Sequence, residues 1–423
     1  MKISTSPVAN NNYLAKIVKI EQLKKHENAD NLQLAIVDFN NIIVDNSIKI
    51  GDICVYFPVE SSINKDFLSH TNCFRKKELN KNNTVAGFYE ESGRVRAVKL
   101  RGTASMGYLV PIHSLMEFAG NFEYKIGDTF DTIGEIKMLE KYIVPHKEAR
   151  PARMGKKPRI SRLVEGQVHL HVDTESLKAN VERIKPDDDI SITYKVHGTS
   201  WWVANVLVKS KETFLRKILH RLFGIDFTEY DYVFGSRRVV KNEYETQDKQ
   251  DFYDGDLWET IKNEIKDLIP KGFTIYGEAL GYTEGGKWIQ KDYDYGCEQG
   301  KHRLQIYRIT FTNADGQVFN LSSKQTKEFC DNVGWEYVNT MYVGRAGDLI
   351  PRSENWHESL MFCLRSYYTE KDCFMCKNKV PEEGIVLRKE GLFQFESYKL
   401  KSERFLLHET EMLDAGEEDI ESQ

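Results

Sequence analysis

The sequence lacks an apolar N-terminal stretch and any run approaching about eighteen apolar residues, so we predict neither a secretory signal nor a membrane-spanning helix. A disulfide framework is not expected either, because the seven cysteines are an odd number and no signal directs the chain to an oxidising compartment. These absences predict a cytoplasmic protein with reduced thiols, located in the host-cell cytoplasm if the source is a virus.

Basic residues are missing from the end of the chain, where residues 409–423 contain seven acidic residues and no Lys or Arg. The whole chain has 59 Lys and Arg against 64 Asp and Glu, a net charge of −5. Removing the seven acidic charges of this tail leaves +2 for residues 1–408. A nearly neutral body can still bind nucleic acid if its basic residues cluster, so net charge excludes no nucleic-acid function.

Short alternating strands fill the first part of the chain. Hydrophobic alternation and intervening turns predict strands at residues 13–20, 32–38, 41–44, 53–58, 94–100 and 107–112. Such a series indicates a small β-barrel, and the OB-fold is the commonest barrel that binds oligonucleotides. A structural barrel without a ligand is an equal alternative. Arg94 and Arg96 favour nucleic-acid binding slightly, because strand alternation puts both side chains on one face.

The most informative stretch is Tyr194-Lys195-Val196-His197-Gly198-Thr199, an alternating run that carries a lysine to a glycine turn. A strand that ends in this way can present an amine to a bound phosphate, although a single Lys-x-x-Gly turn is usually only solvated. Five later segments follow it in order: Gly235-Ser236-Arg237, Tyr276-Gly277-Glu278, Gln305-Ile306-Tyr307, Glu383-Gly384-Ile385 and Lys399-Leu400-Lys401.

Taken in order, these six segments resemble the nucleotidyltransferase motifs of ATP-dependent RNA ligases. They are closest to the RNA ligase 2 type, whose first motif is also Lys-x-His-Gly-Thr. In the first part of the chain, His26-Glu27-Asn28-Ala29-Asp30 and Val55-Tyr56-Phe57-Pro58 look like the OB domain that precedes the catalytic domain in one branch of these enzymes.

The resemblance implies an α+β fold, with an N-terminal OB-type β-barrel followed by an ATP-grasp-like nucleotidyltransferase domain of antiparallel sheets with flanking helices. Residues 147–162 contain seven Lys or Arg and two prolines without a hydrophobic period, which is typical of a linker. We therefore predict an OB-fold-like nucleic-acid-binding domain at 1–146, a basic linker at 147–162, a nucleotidyltransferase domain at 163–408 and an acidic tail at 409–423.

The resemblance also implies a role for each motif residue. Lys195 is the nucleophile that attacks the α-phosphate of ATP, and Lys399 and Lys401, which alternate on a strand, complete the catalytic set on the same phosphate. The implied ATP-binding residues are Tyr194, His197, Arg237 or the adjacent Arg238, Glu278, Tyr307, and Ile385 or Val386. Glu383, with Glu382 as the adjacent alternative, would hold hydrated Mg²⁺ or Mn²⁺. The family usually has Phe-Asp where this chain has Tyr307-Arg308.

A separate cluster of soft ligands lies outside these motifs. His357, Cys363, Cys373 and Cys376 include a Cys-x-x-Cys pair at the spacing of a zinc knuckle, so a structural zinc is one interpretation. The spacings around the pair are irregular, and reduced, partly buried thiols are the alternative.

The predicted function is an ATP-dependent RNA ligase that joins 3′-OH and 5′-phosphate ends through lysyl-AMP and RNA-adenylate intermediates in RNA repair. Its expected partners are the RNA ends of a nicked duplex or a broken tRNA, with no membrane, and we expect a monomer. Two alternatives stay open: a noncatalytic OB-containing RNA-binding protein, and a DNA ligase or capping-type nucleotidyltransferase. In the last two classes the OB domain follows the final motif, whereas only 22 residues follow Lys401 here.

Overall fold

The computed structural model describes residues 1–7, 9–143, 163–210, 221–222, 227–237, 239–241, 257–391 and 395–416. The predicted basic linker, Arg238 and the last part of the predicted acidic tail lie outside these residues. None of the helices in the described ranges is both long enough and apolar enough to cross a membrane.

Strands make up most of the regular structure. In chain order they are β1 (Ile3–Ser4), β2 (Ala15–Lys19), β3 (Leu23–Lys25), β4 (Leu32–Val37), β5 (Asn40–Asp45), β6 (Ile53–Phe57), β7 (Ser61–Ile63), β8 (Ala97–Leu100), β9 (Thr103–Met106), β10 (Tyr108–Pro111), β11 (Thr129–Phe130), β12 (Thr132–Ile133), β13 (Ile136–Lys137), β14 (Leu139–Lys141), β15 (Glu175–Ser176), β16 (Asp189–Lys195), β17 (Thr199–Lys209), β18 (Thr228–Ser236), β19 (Val240–Lys241), β20 (Phe273–Gly281), β21 (His302–Thr312), β22 (Val318–Asn320), β23 (Glu336–Tyr337), β24 (Thr340–Arg345), β25 (Gly384–Lys389) and β26 (Glu396–Lys401).

The α-helices in the described ranges are short. They are α1 (Lys65–His70), α2 (Ile112–Ala119), α3 (Leu177–Asn180), α4 (Leu257–Ile265), α5 (Ser323–Val333), α6 (Trp356–Cys363) and α7 (Glu403–Asp414). Antiparallel sheets with a few flanking helices are what the sequence predicted, and the α+β fold class is confirmed.

The chain divides into two compact units. The first unit contains the N-terminal strands β1–β14 and also takes in Glu175–Val181 and α7, which come from later in the chain. It is therefore built from three separate segments rather than from one continuous stretch ending at 146. The second unit contains β16–β26 and α4–α6.

The six strands predicted in the first part of the chain are confirmed as β2, β4, β5, β6, β8 and β10. All of these strands pair antiparallel. Strands β10, β6 and β2 form one sheet with β11, strands β4 and β5 form a second with β3, and β8 pairs with β9. Alternation explains the packing, because Ala15 and Ile17 enter one apolar core while Val18, from the opposite face of β2, enters a second.

Arg94 and Arg96 precede β8, and the two do not share the exposed face that alternation suggested, because Arg94 is buried whereas the Arg96 side chain is 24% exposed. The Arg94 side chain is 3% exposed and binds Glu60 through two nitrogens, at 2.8 Å and 3.1 Å. Both arginines also pair with Asp414 of α7, at 3.3 Å and 3.0 Å. The interpretation of Arg94 as an RNA contact is wrong, because a buried guanidinium with two carboxylate partners has a structural role.

Two antiparallel sheets form the second unit. One has the order β26-β25-β16-β24, and the other has the order β19-β18-β17-β20-β21-β22, with β23 added parallel to β21. Helix α4 buries Leu257, Ile261 and Ile265, which its i, i+4 spacing places on one face. These side chains join the core of the larger sheet, which also contains Trp201.

Helix α5 has a defined start and stop. The Ser322 hydroxyl accepts the backbone N–H of Gln325, and the Gln325 side chain accepts the N–H of Ser322, so both ends of a capping box are present. The helix ends at Gly334, whose φ of 76° lies in the left-handed region that glycine adopts without strain.

Candidate active site

A pocket lies between the two sheets of the second unit. Its walls include, from the smaller sheet, Lys195, Val386 and Lys399, and from the larger sheet, Ser200, Glu278 and Tyr307. These residues come from five of the six motif segments or their immediate neighbours, although the motifs are spread over more than two hundred residues of sequence.

Strand register brings the three motif lysines together. Lys195 at the end of β16 is opposite Gly384 of β25, and Gly384 is opposite Lys401 of β26. In the neighbouring row, Val386 is opposite Lys399. Because side chains alternate along strands, Lys195, Lys399 and Lys401 face the same side of this sheet.

Gly384 permits this close row. Its φ is +141°, and a Cβ at this position would lie 2.0 Å from the carbonyl oxygen of Leu400 on the neighbouring strand. Only glycine fits at such a separation without moving β25 away from β26. The glycine of this motif is thus required for the spacing between Glu383 and Lys401.

Glu383 is the centre of the charged cluster. One of its oxygens, Oε1, lies 2.7 Å from Nζ of Lys195 and 3.6 Å from Nζ of Lys401, and the Glu383 side chain is 1% exposed. The adjacent Glu382 faces another direction, where it accepts the backbone N–H of Lys371 at 3.3 Å. Burial raises the pKa of the Glu382 carboxyl.

The larger sheet adds a second buried carboxylate to the pocket. Ser200 is opposite Glu278 on the paired strands β17 and β20, and its hydroxyl donates a 2.6 Å hydrogen bond to Oε1 of Glu278. The backbone carbonyl of Ser200 in turn accepts the indole N–H of Trp258 at 3.1 Å. These contacts fix the Glu278 carboxylate in one orientation.

Comparison with known protein families identifies the family to which the chain that carries these residues belongs. Residues 188–402, just over half of the chain, match the RNA ligase family. The chain belongs to the RNA ligase family. Residues 14–112 of this ligase separately match an OB-fold domain family, which confirms the predicted OB fold. None of the curated proteins matches the ligase.

The ligase is also similar to solved structures of Naegleria gruberi RNA ligase. A mutant of that enzyme with AMP and Mn has a TM-score of 0.57 and 16% identity, and the match covers 93% of this chain and 98% of that chain. The same enzyme with PPi has a TM-score of 0.58 and 16% identity, covering 94% and 99%. A mutant with ATP and Mn has a TM-score of 0.59 and 17% identity, covering 94% and 99%. At this identity the similarity shows a shared fold.

Two motif residues of the ligase are paired with a segment that the sequence did not mark. The guanidinium of Arg237 donates to Oδ1 of Asp173 at 2.6 Å and 3.2 Å. The hydroxyl of Tyr307 lies 2.8 Å from Nδ1 of His171, and the two rings meet edge to face. Burial raises the pKa of Tyr307. In the sequence, only the polar-apolar-polar alternation of His171-Val172-Asp173 could have indicated that this segment pairs with Arg237 and Tyr307.

Arg308 and Arg388 form a further part of the pocket wall that sequence reasoning did not assign. Their guanidinium carbons lie 4.5 Å and 5.0 Å from the ring centre of Phe395. Burial lowers the pKa of both arginines. Arg308 stands where the family usually has aspartate, and its guanidinium stacks on Phe395 and donates to Oδ1 of Asn320 at 2.8 Å.

Three residues predicted to bind ATP either lie outside the pocket wall or direct their polar group away from it. Tyr194 borders the pocket, but its hydroxyl lies near Cys373 and Glu382, and burial raises its pKa. His197 is not part of the pocket wall, and its ring packs edge to face against Tyr293. Ile385 is fully buried outside the pocket, whereas Val386, the alternative, lines it.

The predicted zinc site is wrong for the described residues, which contain no cluster of three or more metal-binding side chains. Nε2 of His357 lies 2.9 Å from the carbonyl oxygen of Ile184. Cys363 is a free thiol at the end of α6. Only Cys373 and Cys376 lie together, where a hydrogen bond from Cys376 lowers the pKa of the Cys373 thiol to about 7. All seven cysteines are free, in agreement with the reduced-thiol alternative.

Proposed function

We propose that this ligase is ATP-dependent and forms a covalent lysyl-AMP at Lys195. The observation that carries the proposal is the cluster in which Nζ of Lys195 lies 2.7 Å from a buried Glu383 carboxylate, beside a pocket lined by Lys399 and Glu278. The Naegleria gruberi RNA ligase structures with ATP, AMP and PPi support it, because these are the substrate, the transferred group and the leaving group of such a reaction.

In the first step, the neutral amine of Lys195 attacks the α-phosphorus of ATP. A nitrogen–phosphorus bond forms, the bond from the α-phosphorus to the bridging oxygen breaks, and pyrophosphate leaves with the electron pair. An ammonium cannot attack, so Lys195 must first lose a proton to water. Lys399 and Lys401 offset the negative charge that develops on the phosphate oxygens, and such preorganised charge lowers the barrier most where charge builds up.

The AMP group then passes to the 5′-phosphate of an RNA end, which gives an RNA-adenylate. Attack by the 3′-OH of a second end forms the phosphodiester bond and releases AMP. Within the pocket, Glu278 is placed to accept hydrogen bonds from the ribose hydroxyls, because its carboxylate lines the wall and the Ser200 hydroxyl orients it. Tyr307 and Val386 come from opposite sheets and would contact the two faces of the adenine.

A divalent cation fits this site only in hydrated form. The described residues offer no cluster of three metal ligands, but Glu383 is a buried carboxylate between two lysines, and Mg²⁺ or Mn²⁺ held by one carboxylate, water and substrate phosphates needs no more. When bound, the cation would neutralise the α-phosphate and disfavour the charged ammonium of Lys195.

The function is tested by incubating the protein with α-labelled ATP and Mg²⁺ and then with RNA ends. We expect label on the protein, followed by sealing of a 5′-phosphate to a 3′-OH. A panel of nicked duplexes, broken tRNA anticodon loops and single strands identifies the substrate, and matched DNA substrates test the DNA ligase alternative. A protein that binds RNA but takes up no label would instead be the noncatalytic RNA-binding alternative.

The first unit is proposed to engage RNA, in line with its OB fold. Phe88 is 55% exposed there and contacts Tyr89 and Tyr108, with ring centres 4.9 Å and 5.6 Å away. These three rings and Arg96 line one surface pocket of the first unit. An exposed aromatic ring beside a cation is suited to stacking with unpaired bases.

Replacing Phe88 by alanine should weaken binding of single-stranded RNA by about tenfold, since stacking contributes about 1–3 kcal/mol per base. Lysyl-AMP formation should be unchanged, because Phe88 belongs to the first unit and Lys195 to the second. Fluorescence anisotropy measures the affinity. Phe362→Ala is the matched control, since Phe362 is 69% exposed in the second unit. Equal RNA affinity of Phe88→Ala and the wild type would exclude this ring as an RNA contact.

A further inference from the structure

A segment outside the six motifs makes two hydrogen bonds to the backbone of the turn that follows Lys195. This segment, residues 290–295, lies in the connection between β20 and β21. The Gln290 side-chain amide donates to the carbonyl oxygen of Gly198 at 2.8 Å. The Tyr295 hydroxyl accepts the backbone N–H of His197 at 2.6 Å. Both side chains are buried, so water does not replace these contacts.

Tyr295 adopts a backbone conformation that few residues with a side chain tolerate. Its φ is +46°, in the left-handed region, and Asp292 three residues earlier has φ +68°. Such conformations cost free energy and persist where surrounding contacts determine them. Here the Asp294 carboxylate accepts the backbone N–H groups of Gly296 and Lys377, at 2.7 Å and 3.0 Å, which holds the segment in this shape.

The same segment also reaches the Glu383 motif. The Tyr293 hydroxyl donates to the carbonyl oxygen of Pro381 at 2.7 Å, two residues before Glu383. The Tyr293 ring packs edge to face against the His197 imidazole, with centres 5.0 Å apart. One segment therefore contacts both chain stretches that carry the Lys195–Glu383 pair.

We propose that Gln290 and Tyr295 are positioning residues that set where the Lys195 amine lies relative to Glu383 and the α-phosphate of ATP. This inference rests on the proposed lysyl-AMP chemistry. Neither residue lines the pocket, so neither touches the nucleotide there. They act through the backbone groups of His197 and Gly198, which lie two and three residues after Lys195.

The expected effect follows from the geometry of in-line attack. A nucleophile has to approach the phosphorus along a narrow path, and a displacement of about 1 Å can slow a reaction by about a hundredfold. Removing the Tyr295 hydroxyl leaves the partly buried N–H of His197 without this acceptor, which favours a shift of the turn. Binding of ATP, which depends on other residues, should change little.

The test compares Tyr295→Phe and Gln290→Leu with the wild type in three measurements: the single-turnover rate of lysyl-AMP formation at saturating ATP, the affinity for ATP, and the sealing of pre-adenylated RNA, which needs no attack by Lys195. Tyr342→Phe is the matched control, because its hydroxyl also hydrogen-bonds to a backbone group, donating to the carbonyl oxygen of Arg345 at 2.6 Å, outside the pocket.

We expect lysyl-AMP formation to slow about tenfold or more in both variants, with unchanged ATP affinity, normal sealing of pre-adenylated RNA and a wild-type rate for Tyr342→Phe. A wild-type rate in both variants would overturn the inference. So would a parallel loss of pre-adenylated sealing, which indicates general damage, or a loss confined to ATP affinity. If the wild type itself takes up no label, the proposed function fails, and this inference fails with it.

Discussion

Replacing Lys195 by alanine is expected to abolish the transfer of AMP from ATP to the protein. In the proposed reaction the covalent bond forms at Nζ of this residue, and the methyl side chain of alanine offers no nucleophile in its place. Lys399 and Lys401 face the same side of the sheet, but both lie on β26, which β25 separates from β16. We therefore expect neither of them to take over the attack.

Lys195→Arg separates lost chemistry from lost folding. Removing one member of a buried ion pair destabilises a protein, and the Glu383 side chain is 1% exposed. Arginine keeps a positive charge beside Glu383, but its guanidinium stays protonated and is not a nucleophile. Both variants should remain unlabelled with α-labelled ATP, and Lys195→Arg should melt close to the wild type. Full labelling of either folded variant would falsify the assignment.

Replacing Lys399 or Lys401 by alanine is expected to slow lysyl-AMP formation by about a hundredfold, or about 2.7 kcal/mol in the barrier. In the proposed reaction each lysine would offer a cation to the α-phosphate as pyrophosphate departs. Arginine should restore little activity at either position, because its planar fork does not replace a compact ammonium in a narrow site. Single-turnover adenylation rates measure the effect.

The matched control for these two lysines is Lys389→Ala. Lys389 also lies in the smaller sheet and pairs with carboxylates, Asp188 at 3.0 Å and Glu396 at 3.7 Å, but it does not line the pocket. Its replacement should leave the rate unchanged. Melting temperatures of all three variants should stay within a few degrees of the wild type. The partly exposed pairs of Lys389 contribute about 1 kcal/mol or less, and the buried Glu383 carboxylate keeps Lys195 as a partner when Lys401 is removed. Normal rates for Lys399→Ala and Lys401→Ala would mean that neither cation acts on the phosphate.

Local patterns in the sequence were sufficient to predict the strands of the first unit and to recognise the family. The strands of the first unit could be predicted because alternation and turn residues act over a few positions. The six motif segments could be placed in order because each is a short run with fixed neighbours. The face shared by Lys399 and Lys401 follows from alternation alone, and register with Lys195 agrees with it.

The errors arose where spacing along the chain was used for proximity in space. His357 and Cys363 lie near Cys373 and Cys376 in the sequence, but the His357 imidazole contacts Ile184, far from it in the chain. Arg94 reads as an exposed strand residue, yet Glu60 and Asp414 surround it. No local pattern indicates which distant carboxylate will meet a given arginine.

The sequence by itself determined the order of the motifs, the lysine at the end of a strand and the strand-rich character of both units, because these depend on short-range periodicity and on residue type. Only the tertiary structure decided that Glu383 rather than Glu382 faces Lys195 and that Val386 rather than Ile385 lines the pocket. It also decided that residues 290–295 hydrogen-bond to the backbone of the turn that follows Lys195. Adjacent residues on a strand point to opposite sides, so which of two neighbours faces the site depends on how β25 pairs with β16 and β26.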